Sequence, residues 1–138
     1  MTTKHESPHI HHFQVRVYYQ DTDAGGVVYH ANYIKFAERA RTEWLREGGA
    51  DYNQIYADHR ILLVMRKVEI DYLVPSRLDD LIEIETNLIE LGGSSMKVKQ
   101  VFACKGKILA EMKAVIVAVA DSGRPVRIPP QLRQILER

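Results

Sequence analysis

The chain has 138 residues, the size of one ordinary domain, and its 46% hydrophobic content is enough to build a real core, which excludes disorder over most of its length. Lys and Arg number 19 against 18 Asp and Glu, with no basic block, so a nucleic-acid-binding surface is excluded. The single Cys104 cannot close an intramolecular disulfide, the N-terminal residues lack the apolar core of a signal peptide, and no apolar run nears the ~20 residues that span a bilayer. A cytoplasmic protein without a transmembrane segment is expected.

Residues 1–9 are polar and expected to be loose. Phe13, Val15, Val17 and Tyr19 alternate with Gln14 and Arg16, the period of a half-buried strand over 13–19. Gln20 to Gly26 has the composition of a loop. The period then changes: Tyr33, Phe36, Ala37, Ala40, Trp44 and Leu45 form one apolar stripe at three- and four-residue spacing. With Asn32 as N-cap and Gly48-Gly49 as stop, a helix is expected over 31–47. Residues 51–58 read as a loop or an irregular helical turn.

Alternation returns over 62–74, where Pro75 ends a strand, and continues through Leu81–Leu91, Ser95–Cys104 and 108–120 as antiparallel arms. Pairing Leu88 with Val98 and Ile84 with Phe102 keeps apolar side chains together and sets 91 opposite 95. The same logic pairs Phe102 with Ala110 and Val98 with Ala114. Ala110, Ala114 and Ala118 then line one face and leave room for the helix. Pro129-Pro130 opens a short amphipathic tail over 132–136. The fold class expected is α+β: one domain over 1–138, with about five antiparallel strands curled around one long helix.

The densest polar cluster is the segment from Asp21 to Asn32. Gly25 and Gly26 permit close backbone approach, and the helix start offers unpaired N–H groups at a positive dipole end, suited to a developing oxyanion. Asp23 and His30 flank that place. An ionised carboxylate there can attack a carbonyl or take a proton from water, and an imidazole can orient the reactants. The plain alternatives are an Asx-type bond from Asp23 to its own backbone and a structural role for His30. As a calcium loop, Asp21-Thr22-Asp23 fails, because Gly25 and Asn32 stand where ligands are required. His9, His11 and His12 lack a spaced partner cluster, and Cys104 reads as core. No metal or cofactor is expected.

The run from Val17 to Tyr33, followed by Phe36 and Glu38-Arg39-Ala40-Arg41-Thr42-Glu43, resembles the signature of the hotdog-fold acyl-CoA thioesterases. Within them it is similar to the 4-hydroxybenzoyl-CoA thioesterase family, most closely its bacterial Tol-Pal-associated branch. Weaker similarity continues through Arg66-Lys67, Tyr72-x-x-Pro75-x-Arg77-Leu78-Asp79-Asp80 and Leu81-x-Glu83-Ile84. The resemblance implies a hotdog fold, a homodimer by sheet extension or a homotetramer, and active sites between subunits. It implies that Asp23, not Asp21, is the catalytic carboxylate, that His30 assists it, and that the backbone N–H groups of His30 and Ala31 bind the oxyanion.

Tyr29, Asn32, Arg66, Lys97 and Lys99 are the expected substrate contacts. Aromatic-specific relatives carry a basic triplet before the fourth strand that holds the nucleotide phosphates, whereas this chain has Gly92-Gly93-Ser94. Scattered cations, Arg60, Arg66, Lys97 and Lys99, would have to replace it, and the acyl carrier is coenzyme A or acyl carrier protein. The rival class is a non-catalytic acyl-thioester binding module of an envelope-associated complex, which would keep the pocket and lose Asp23 or His30. Both residues are present.

Overall fold

A computed structural model describes residues 9–138 in full and Thr3–Lys4 as backbone. In chain order the elements are β1 (Thr3–Lys4), β2 (His11–Arg16), a 3-10 turn (Tyr19–Asp21), α1 (Asn32–Glu47), α2 (Tyr52–His59), β3 (Leu62–Tyr72), β4 (Leu81–Leu91), β5 (Ser95–Cys104), β6 (Lys107–Val119) and α3 (Pro130–Glu137). The strands form one antiparallel sheet in the order β1-β4-β5-β6-β3, with β2 also paired to β4. The sheet wraps α1, as expected of a hotdog fold. Among the described residues no helix is long and apolar enough to cross a membrane.

The apolar stripe of α1 is what the sheet closes on. Phe36, Ala37 and Ala40 pack with Ala110, Ala114, Ile84 and Phe102, and Trp44 and Leu45 pack with Ala118, Leu88 and Val98. Each large side chain buried there contributes about 1.5–3 kcal/mol. The small residues of β6 let the helix lie close. A polar link crosses the same core: the Gln100 amide donates to the Ala37 carbonyl at 2.9 Å and to Thr86 Oγ1 at 3.0 Å, and its Oε1 accepts from Arg41 Nη1 at 3.0 Å. Buried without these partners, the amide would cost about 1–3 kcal/mol, so the link sets where α1 lies on the sheet.

The expected pairs Leu88–Val98, Ile84–Phe102, Phe102–Ala110 and Val98–Ala114 are all present. The expected pairing of 91 with 95 is not: a bulge between Leu88 and Glu90 shifts the register, so that Leu91 faces Met96. Tyr19 is also corrected. It is 83% exposed, because the chain leaves the sheet at Val17 and turns.

The segment 51–58, read as a loop or an irregular helical turn, is the two-turn helix α2, started by the Asp51 side chain accepting from the Gln54 N–H at 2.8 Å. The tail forms α3, with Leu132 and Leu136 buried against the Trp44 end of the core. At the N-terminus Thr3–Lys4 pairs with β4, and His9 Nε2 lies 2.8 Å from Glu47. The other residues before His9 lie outside the described ones.

Candidate active site

After Val17, whose N–H donates to the Asp80 carbonyl at 2.9 Å, the 3-10 turn swings the chain toward the start of α1. Asp21 holds that turn. Its Oδ2 accepts from the Tyr18 N–H at 2.8 Å and its Oδ1 from the Asn32 amide at 2.9 Å, and the residue is 6% exposed. A carboxylate this deep is tolerated only when donors surround it. The chain then folds back on itself as a tight hairpin. Thr22 bridges Val28, the Asp23 N–H donates to the Val27 carbonyl at 2.9 Å, and Gly26, at φ +79°, closes the turn onto the Asp23 carbonyl at 3.0 Å. On its far side the hairpin is fixed by the Val28 N–H, which donates to the Ser76 carbonyl at 2.8 Å.

Asp23 sits exposed at the base of this hairpin. Its Oδ1 accepts from the Gly25 N–H at 2.8 Å, so the plain Asx-type bond exists. That bond occupies one oxygen and orients the carboxylate. Oδ2 has no hydrogen-bond partner among the described residues. Asp23 and His30 both line one cleft of about 270 Å³, walled by Val27, Tyr33, Tyr72 and Pro75. The His30 ring packs on Tyr29 at 4.4 Å between centroids and meets Tyr72 edge-on at 6.2 Å.

The helix start completes the site. The N–H groups of Tyr29, Asn32, Tyr33 and Ile34 all donate to backbone carbonyls, whereas among the described residues those of His30 and Ala31 donate to none. Two adjacent unused donors at the positive end of a helix of 16 residues are suited to an oxyanion.

Several expected contacts fall elsewhere. Asn32 is the first residue of α1, not its N-cap, and its buried amide donates to Asp21, so that it frames the site. Tyr29 is exposed beside His30 but does not line the cleft. Arg66 stands at a bulge of β3, between Met65 and Lys67, on the outer edge of the sheet. Lys97 and Lys99 alternate with the buried Met96, Val98 and Gln100, so they point to the sheet face opposite α1 and away from the cleft of their own chain. Arg60 is held by Asp121 at 3.2 Å.

Tyr72, Tyr33 and Ser76 adjoin the site and were not among the site residues expected from the sequence. The Tyr33 hydroxyl meets Ser76 Oγ at 2.6 Å, and Tyr72 Oη donates to the His30 carbonyl at 2.9 Å. In the hydropathy pattern both tyrosines count only as apolar. A second, mostly apolar cavity of about 360 Å³ lies between α1, α2 and the start of β3, with Trp44, Ile55, Leu63, Met65 and Ile116 in its walls. Among the described residues no His, Cys, Asp and Glu group could hold a metal ion.

Asp21 and Asp23 are two residues apart and are expected to respond unequally to the same change. Asp21→Asn leaves one carbonyl oxygen for two donors and is expected to lower stability by about 1–3 kcal/mol in urea unfolding. Asp23→Asn keeps its one acceptor and is expected to stay within about 0.5 kcal/mol of the parent. Equal losses in the two variants contradict the assignment of Asp21 as the framework carboxylate.

A family model described as the thioesterase-like superfamily matches residues 17–136. The acyl-CoA thioester hydrolase YbgC of Escherichia coli strain CFT073 is 42% identical over 118 residues, covering 85% of this chain and 84% of its own. The acyl-CoA thioesterase YbgC of Haemophilus influenzae is 40% identical over 123 residues, covering 88% of this chain and 90% of its own. A crystal structure of a probable thioesterase from Bartonella henselae superposes with a TM-score of 0.85 at 35% identity, over 88% of this chain and 100% of that one. With the sheet closed on α1, and with both the family model and these relatives spanning the loop and the helix start, the chain belongs to the thioesterase-like superfamily and is a thioester hydrolase of the hotdog fold.

Proposed function

We propose that the enzyme hydrolyses acyl-coenzyme A to the free acid and the thiol, with Asp23 as the reacting carboxylate. One observation carries the reading: an exposed carboxylate with a free oxygen lines one cleft with His30, whose backbone N–H, like that of the adjoining Ala31, is unused. The relatives' activity on acyl-CoA supports it. As general base, Asp23 takes a proton from water as the oxygen adds to the thioester carbonyl. The His30 and Ala31 N–H groups hold the oxyanion, and the C–S bond breaks as the proton passes from Asp23 to the departing sulfur. As nucleophile, the same carboxylate attacks the carbonyl, the C–S bond breaks and the thiolate leaves to be protonated by solvent, and water then cleaves the anhydride to the free acid and the regenerated Asp23 carboxylate. His30 orients the reactants in both.

The acyl chain is read as running along α1 toward the apolar cavity near Trp44. β3 is an edge strand of 11 residues with exposed Leu62, Val64 and Met65, the kind of template that pairs with a second copy. A homodimer by sheet extension, or a homotetramer of such dimers, therefore belongs to the proposal. So does the Tol-Pal-associated branch, for which His30 at the helix start is the marker. The lone cysteine, buried Cys104, agrees with a cytoplasmic location.

Asp23→Asn is expected to lower kcat on acyl-CoA by ~100-fold or more while leaving the fold intact. Turnover near that of the parent removes Asp23 from the chemistry. For the carrier, coenzyme A is favoured over acyl carrier protein, with the phosphates held loosely by exposed cations such as Arg66. Such contacts are weak and screened by salt. KM for acyl-CoA is expected to rise between low and ~0.15 M ionic strength with kcat little changed, and KM for the same acyl group on pantetheine to stay flat. Equal KM values without salt response point to the carrier protein instead.

A further inference from the structure

We propose that Tyr72 is a positioning residue for the hydrolysis, acting through the peptide that joins His30 to Ala31. The inference rests on the oxyanion role given above to the helix start. Tyr72 ends β3 and lines the same cleft as Asp23, and its hydroxyl donates to the His30 carbonyl at 2.9 Å. That carbonyl also accepts from the Tyr33 N–H, at 3.3 Å. The carbonyl of the preceding peptide, at Tyr29, accepts from the Asn32 N–H at 2.8 Å. Both peptides thus have their carbonyl ends tied and their N–H ends, on His30 and Ala31, unused.

A peptide is one conjugated unit, so drawing charge onto its oxygen leaves its N–H a better donor, and hydrogen bonds arranged in series strengthen one another. The same bond fixes the peptide plane, and with it the direction of the Ala31 N–H. Within the first turn, Tyr72 is the side chain that the sheet sends to do this. Its ring is braced edge-on against Tyr33 at 5.5 Å and His30 at 6.2 Å, and burial pushes its hydroxyl above the ordinary tyrosine range, so it remains a donor. A residue 42 positions away in sequence from the carbonyl it holds joins β3 to the chemistry of α1.

Tyr72→Phe keeps the ring and removes only the donor. In the full-length enzyme we expect kcat on acyl-CoA to fall about ten-fold, less than the loss of a whole oxyanion donor, with KM within about two-fold and the melting temperature unchanged. A structural contact alone does not move a second readout, the carbonyl stretch of a bound ketone analogue in which a methylene replaces the thioester sulfur. The parent is expected to lower that frequency relative to solution, and Tyr72→Phe to return it part of the way. An unchanged kcat overturns the proposal, as does a loss of kcat with no frequency change, or a rise in KM alone, which makes Tyr72 a substrate contact. If the parent hydrolyses no acyl-CoA, or leaves the ketone frequency at its solution value, the functional reading itself fails. If only the comparison with Tyr72→Phe is flat, Tyr72 alone is removed.

Discussion

The carboxylate of Asp21 is the constraint on which the site depends. It lies where the chain leaves β2, out of reach of the sheet ladder, and takes one donor from each side of the turn: the Tyr18 N–H behind it and the Asn32 amide ahead. Its backbone carbonyl accepts from Tyr29 at 2.9 Å. Strand exit, hairpin and helix start are thereby bound to one residue. A buried carboxylate left with one donor is expensive, so the alternatives to this path lie well above it. The hairpin between Thr22 and Val28 has little freedom left, and Asp23 at its base is aimed by the backbone instead of by a packed side chain.

A division of labour between two like residues follows. Asp21 is buried and saturated; Asp23 is exposed and keeps an oxygen free. The helix start shows the same contrast. Asn32, Tyr33 and Ile34 use their N–H groups on the preceding carbonyls, and His30 and Ala31 do not. Gln100 completes the frame from inside the sheet by holding the Ala37 carbonyl, so the first turn of α1 does not slide along the core when a ligand presses on it. The site is thus a turn and a helix end clamped at three points, Asp21, Ser76 and Gln100.

What was legible in the sequence was what repeats. The α1 stripe, the arms of the sheet and four cross-strand pairs followed from hydropathy period alone, because burying one face of each element dominates the energy. The bulge at Ile89 escaped because it lies at the end of the strand: it moves the buried phase from the even positions 82–88 to Leu91, and a single residue out of phase there reads as part of the turn. Tyr19 misled because a tyrosine counts as apolar in the pattern, while its hydroxyl tolerates water. The helix α2 was announced by Asp51 three residues before Gln54, a capping signal masked by a polar composition.

In the site, Asp23 and His30 were visible through the glycine hinge and the family signature, and the structure sets both on one cleft. The outward direction of Lys97 and Lys99 was also readable, for they alternate with Val98, which the register already turned inward. The Asp21–Asn32 bond and the Tyr72 hydroxyl were not readable, because each joins places distant in sequence and leaves no local period. The most direct test of the account is a crystal structure with an uncleavable acyl-coenzyme A ketone bound. The account predicts its carbonyl oxygen about 3 Å from the backbone nitrogens of both His30 and Ala31, with the Asp23 carboxylate facing the carbonyl carbon. A ketone bound with its carbonyl away from the start of α1, or on the Lys97 and Lys99 face of the sheet, contradicts it.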